Sequence, residues 1–186
     1  LISADVVTAN GEVVHASESE NADLFWGLRG GGGNFGVVVN FEYRLHDLPP
    51  LLTGGMLLWP AERAGEVLRF YREFAEDAPD EFSGACALLT APPAPFVPAE
   101  LQGQHAVGVV ALALVEPERG EELLRPLREL ASPVVDIVGP MPYLAMQQLL
   151  DPGNPPGLYN YWKAELVDEI SDELIELSVA HHEKMG

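Results

Sequence analysis

The sequence predicts an α+β fold, and three observations predict it. Runs of β-branched and aromatic residues alternate with stretches whose apolar residues recur at helical spacing. Over residues 51–186 the order reads β-α-β-β-α-β-α-β-α. Its one direct β-β step argues for a mixed or antiparallel sheet covered by helices on one face. The 186 residues are 47% hydrophobic with a mean hydropathy of +0.07, enough apolar material for a core.

Residues 5–8 and 12–16 are two short strands, and Asn10-Gly11 between them tolerates the positive φ of a tight hairpin. Ser19 or Asn21 is placed to cap a short helix carrying Leu24, Phe25, Trp26 and Leu28, with Trp26 read as a core or staple residue. Four glycines, Gly30 to Gly33, end that helix, and residues 37–45 read as a strand. Pro49-Pro50 marks a boundary, giving segments 1–50 and 51–186. In the second segment, residues 55–59 form a strand and Pro60 opens a helix with Ala64, Val67, Leu68, Tyr71 and Phe74 inward. Strands follow at 82–90 and 106–115, with a proline-rich loop at 91–98 between them. Pro117 opens another helix, which Pro126 is expected to kink or split. A strand at 134–138, a short helix at 143–150, a strand at 159–167 and a final helix at 171–184 complete the reading.

Charge and cysteine content narrow the function. Ten Lys+Arg against 29 Asp+Glu give a net charge of −19, which argues against a nucleic-acid or anionic-membrane surface. A small-molecule partner fits better. The single cysteine, Cys86, excludes an internal disulfide and a Cys-based zinc site, and its apolar neighbours mark it as a buried small hydrophobe. The longest apolar run, 106–115, is half a membrane span, and no signal peptide is visible. The chain opens at Leu1 inside what reads as a structured segment, so it is read as an internal fragment.

The sharpest motif is Leu24-Phe25-Trp26-Gly27-Leu28-Arg29-Gly30-Gly31-Gly32-Gly33-Asn34-Phe35-Gly36-Val37-Val38. Gly31-x-Gly33-x-x-Gly36 formally matches the dinucleotide fingerprint, but that fingerprint needs a strand before it and a helix after, and here the order is reversed. What remains is a helix-to-strand loop whose bare amides could cradle an anion, or a tight turn packed on its own domain. Together with the hairpin from Asp5 to Val14, this stretch resembles the FAD-linked oxidases of the berberine-bridge-enzyme-like group, within the vanillyl-alcohol-oxidase / p-cresol-methylhydroxylase type of FAD fold. Val138-Gly139-Pro140-Met141-Pro142-Tyr143 and Tyr159-Asn160-Tyr161-Trp162-Lys163 are looser matches to that family's substrate domain.

The resemblance implies that 1–50 is the C-terminal piece of an FAD-binding domain and 51–186 a partial substrate-binding domain. It implies that Gly31, Gly32, Gly33, Asn34, Phe35, Gly36 and Val37 lie along the FAD, near its ribityl-pyrophosphate-adenosine part. The parent would move a hydride from an alcohol, sugar, amine or similar small molecule to the flavin, with oxygen reoxidising it. A second phosphate-binding loop and a flavin-bearing His or Cys belong upstream of Leu1, and the catalytic base beyond Gly186. The chain alone is therefore expected to hold flavin poorly and to be inactive. The alternative is a truncated non-catalytic module that binds a partner or self-associates through apolar surface around 37–43 and the hairpin.

Other candidates are weaker. On a strand, Tyr159, Tyr161 and Lys163 share one face and could line a substrate pocket, although ordinary sheet packing also explains them. His181-His182-Glu183 lacks the i, i+4 spacing of a helical metal site and reads as solvated helix end, while His15, His46 and His105 are scattered singles. No metal ligand set is expected. The acidic clusters at 116–122 and 168–176 read as solvated helix starts favoured by the macrodipole.

Overall fold

A computed structural model describes every residue except Asn154, Leu158, Asn160 and Gly186. The chain divides into two compact units, Leu1–Asp47 and Leu48–Gly186.

The first unit is a three-stranded antiparallel sheet with one short helix. Strand β1 (Ser3–Val7) lies between β2 (Val13–Ser17) and β3 (Val37–Glu42). The β1–β2 turn closes as the sequence predicts: Gly11 takes φ 80° and its N–H donates to the Thr8 carbonyl at 2.9 Å. Helix α1 (Ala22–Leu28) buries Phe25 near Ala4, Val6 and Ala16, which form the small core. Two expectations fail here. Asn21 precedes α1 but does not cap it; it sits at φ 49°, and its Nδ2 donates to the His15 carbonyl at 2.7 Å. Trp26 is 74% exposed, because a seven-residue helix has one buried face and Phe25 occupies it.

The second unit is an antiparallel sheet in the order β5-β6-β4-β7, built from β4 (Leu52–Pro60), β5 (Phe82–Thr90), β6 (His105–Ala113) and β7 (Val135–Asp136). A further strand, β8 (Gly139–Met141), also pairs with β4. The predicted strand at 134–138 is thus shorter than expected, and the ladder resumes in β8, which the prolines on either side of Met141 concealed. Central β4 is buried on both faces. Leu57 and Trp59 point, with Val107, Val109 and Ala111 of β6, toward α2 (Ala64–Asp77) and α3 (Pro117–Glu129). Met56 and Leu58 face the other way and are covered by Ala91, Val97 and Leu101 of the proline-rich loop. The helices therefore share one face, as the α+β reading expects. Trp59 is fully buried and its indole N–H donates to the Leu130 carbonyl at 2.9 Å, which anchors the end of α3. Pro126 does not split α3, because it falls in the last turn, where the missing donor costs one hydrogen bond.

Helix α4 (Tyr143–Gln147) follows β8, and α5 (Asp172–His182) closes the described chain, capped by Ser171, whose Oγ accepts from the Leu174 N–H at 3.2 Å. The strand expected at 159–167 is absent among the described residues of that stretch; Asn160 lies outside them. A strand needs a neighbour for its N–H and C=O groups, and no ladder partner reaches the described residues of this stretch.

Candidate functional site: the glycine loop

The loop between α1 and β3 is built from the backbone outward. Gly30 turns the chain out of α1 at φ 118°, and residues Gly32–Phe35 form one 3₁₀ turn. The ring of Phe35 folds back onto α1. Its Cζ would stand 2.9 Å from a Cβ at Gly27, and its Cε2 2.5 Å from one at Gly31. Asn34 Nδ2 donates to the Gly31 carbonyl at 3.0 Å and holds the turn closed. Gly36 takes φ 136° and ψ −168°, a region open essentially to glycine alone, and its α-carbon rests against the Val7 carbonyl of β1.

The glycines therefore serve two different needs. Gly31 and Gly36 are required by the fold, since a side chain there would strike a main-chain carbonyl, whereas one at Gly27 would meet only the Phe35 ring. Gly30 and Gly32 are required by positive φ alone. Gly33 is required by neither: its φ is −80°, and nothing within 4 Å would meet a Cβ. The open side of the loop is main chain, at the start of a helical turn whose first N–H groups have no intrahelical acceptor. Such an arrangement suits an anion that approaches the backbone closely.

Beside the loop, Val37 is 68% exposed at the start of β3, and exposure continues through Val39, Phe41 and Tyr43. A bulge sets Asp5 opposite Asn40 and Val6 opposite Val38, leaving Val39 as the extra residue. Asn40 thereby donates to Asp5 Oδ2 at 3.2 Å, while Asp5 Oδ1 meets His15 Nδ1 at 2.7 Å across β2. The hydrogen bond from His15 holds the Asp5 carboxyl below its usual range, and the same bond raises His15 above its own. This row was not legible in sequence, because the bulge that aligns it has no sequence signal.

The other predicted site residues are not gathered into a pocket. Tyr159 and Tyr161 are exposed, and Lys163 pairs with Glu165 at 3.4 Å. Cys86 packs on the helix-side core, where burial pushes its thiol up to about 12, the behaviour of an unreactive cysteine. Two readings are corrected. His182 is buried rather than solvated and its ring lies tilted against that of His105, which is thus not an isolated histidine. Asp172 and Glu176 are not merely solvated, for both pair with arginines of α2. Among the described residues no group of three or more His, Cys, Asp or Glu side chains is placed to hold a metal ion. No described helix is long and apolar enough to cross a membrane.

No family model matches the chain. Among curated proteins, an FAD-linked oxidoreductase of Dictyostelium discoideum is 28% identical over 189 residues, which takes in 99% of this chain and 38% of the relative. Chitooligosaccharide oxidase of Gibberella zeae is 42% identical over 85 residues, 45% of this chain and 17% of its own length. Among solved structures, a glucooligosaccharide oxidase of Acremonium strictum superimposes with a TM-score of 0.70 at 26% identity, over 98% of this chain and 38% of that one. Physcomitrella patens BBE-like 1 gives a TM-score of 0.70 over 100% of this chain and 41% of that one, at 19% identity, and so attests the fold. The homologues are FAD-linked oxidoreductases, oligosaccharide oxidases among them, and the fold is that of a slice of the berberine-bridge-like FAD oxidases. The resemblance carried by the glycine loop is thus borne out. The chain spans well under half the length of the curated relatives it matches.

The two classes of glycine separate experimentally. Gly36→Val should unfold the first unit or cost several kcal/mol (about 2–4, for a strained backbone and an overpacked contact). Gly33→Val should leave the unfolding free energy from urea titration within about 0.5 kcal/mol of the parent chain. Equal destabilisation by both would contradict the assignment.

Proposed function

We propose that this chain is a piece of an FAD-dependent oxidoreductase that oxidises a carbohydrate or a similar small molecule. Unit Leu1–Asp47 is then a piece of the FAD-binding domain, and Leu48–Gly186 part of the substrate domain. The observation that carries this reading is Gly33. A glycine costs about 0.5–1 kcal/mol relative to alanine through lost chain entropy, and neither φ nor packing requires one there. A ligand lying on the main chain explains it. Gly32, Gly33 and Asn34 would hold the phosphate-bearing part of FAD through backbone N–H groups, with Gly31, whose own N–H donates to the Gly27 carbonyl at 2.9 Å, and Phe35, Gly36 and Val37 fixing the loop behind them. When bound, FAD supplies the hydride-accepting chemistry, and the protein supplies position and electrostatics. The sugar-oxidising relatives favour a carbohydrate substrate. Tyr159 and Tyr161 would offer it aromatic faces, and Lys163 a hydrogen-bond donor.

The test is an FAD titration by fluorescence quenching, run beside Gly33→Val. Saturable binding that weakens at least tenfold in the variant supports the reading. Equal binding by both chains would contradict it. No binding by either would make the relatives' further segments obligatory for flavin.

A second reading is favoured by one observation. Val37, Val39, Phe41 and Tyr43 of the first unit are all more than half exposed, along a strand that pairs on one edge only among the described residues. A non-catalytic module would cover this surface by self-association. Sedimentation should then show concentration-dependent association that Phe41→Lys disrupts; a clean monomer at high concentration removes this reading.

A further inference from the structure

We propose that β5 is a dimerisation edge: two copies of this chain join their second units by pairing β5 with β5, antiparallel and centred on Cys86. The inference does not rest on the flavin reading, and its surface is not the β3 surface of the first unit.

Strand β5 ends the sheet, with β6 on one side and no described strand on the other. Edge strands of folded proteins commonly carry a lysine, a proline or a bulge that blocks a further strand. β5 has none of these. Its nine residues from Phe82 to Thr90 hold no charge and no proline, and its ladder to β6 runs without a register shift.

The ladder fixes which backbone groups point outward. At its two ends the Leu114 N–H donates to the Glu81 carbonyl at 2.9 Å, and the Ala91 N–H to the Gln104 carbonyl at 2.8 Å. Odd-numbered residues of β5 thus turn their N–H and C=O groups to β6, and Gly84, Cys86 and Leu88 turn theirs to the open edge. A twofold antiparallel pair that satisfies the outward groups needs an outward-facing residue at its centre. Cys86 is that residue and the middle of the strand. It would exchange both hydrogen bonds with the partner's Cys86, and Gly84 would do so with the partner's Leu88.

Side chains and charges fit the same register. Gly84 stands opposite the partner's Leu88, Ser83 opposite the partner's Leu89, and Ala85 opposite the partner's Ala87, so the leucines meet small residues on both halves of the ladder. The acidic approach to β5, Asp80 and Glu81, comes beside the partner's Pro92 and the partner's Ala91. A parallel pairing would set Glu81 beside the partner's Glu81, like charge against like. The border of the sheet is apolar as well. Ile175 and Val179 of α5 face α2, whereas Leu177 and Met185, both more than half exposed, line a cleft of about 450 Å³ with Leu88 of the edge strand. The twofold brings the partner's Gly84 beside that Leu88 and continues the apolar border across the axis.

The test is sedimentation velocity over a concentration series, on the parent chain, on Phe41→Lys and on two double variants at Ala85 and Ala87, which are exposed in β5. Ala85→Lys/Ala87→Lys sets lysine opposite lysine at both symmetric pairs, and Ala85→Lys/Ala87→Glu sets lysine opposite glutamate. The parent chain should show a monomer–dimer equilibrium. The lysine–lysine variant should weaken it about tenfold or more, although its net charge is smaller, and the lysine–glutamate variant should stay within about threefold. Phe41→Lys should leave it unchanged. A monomer at every concentration overturns the proposal, as does a lysine–lysine variant that dimerises like the parent chain or a lysine–glutamate variant that loses as much. Hydrogen exchange of the parent chain decides if a variant does not fold. Peptides covering residues 83–89 should gain protection as concentration rises; full protection already in the dilute monomer would mean that another stretch of chain covers the edge, and overturns the proposal.

Discussion

The ring of Phe35 lies on bare backbone at Gly27 and Gly31, and the form of the glycine loop depends on how closely the chain packs on itself there. A side chain at Gly27 would displace the ring, and one at Gly31 would strike the Gly27 carbonyl as well. One residue beyond Phe35, Gly36 brings the chain against the Val7 carbonyl in a conformation other residues avoid. These contacts fix the loop from behind. They leave its front, around Gly32 and Gly33, as exposed main chain. An exposed main chain fixed from behind would suit a phosphate-bearing ligand, because little would be left to order on binding. On the proposed reading, the fold creates the loop's shape, while the ligand's own requirement falls on Gly33, which the fold does not need.

In the second unit the corresponding constraint is β4, buried on both faces and paired on both edges. Leu57 and Trp59 on one side and Met56 and Leu58 on the other tie the helices and the proline-rich loop to one strand. The sheet is thereby closed to further strands at its centre. The described residues of 159–167 join no ladder, although their aromatic content suits a strand.

Much of this was legible in the residues themselves. The hairpin at Asn10-Gly11, strand β5 from Phe82 to Thr90 and the two amphipathic helices follow from turn chemistry and periodicity. The glycine loop was legible as a motif, but not the division of labour within it, since Gly31 and Gly33 differ only in what the tertiary structure places nearby. Trp26 was misread because helix length, and not hydrophobicity, decides how many faces are buried. His182 was misread for the opposite reason: its position near a helix end suggests solvent, and only the packing of α5 shows it buried against His105. Local signals gave the elements. Contacts between residues distant in sequence gave the exceptions.

The central claim is that the loop's outward main chain at Gly32, Gly33 and Asn34 receives the cofactor. Amide chemical-shift mapping by nuclear magnetic resonance during addition of FAD tests it most directly. The account predicts saturable shifts centred on those three amides, with Gly36 and the Val6–Val7 backbone following as their rigid support. Saturable shifts confined to other parts of the chain, with Gly32 to Asn34 unmoved, would contradict it.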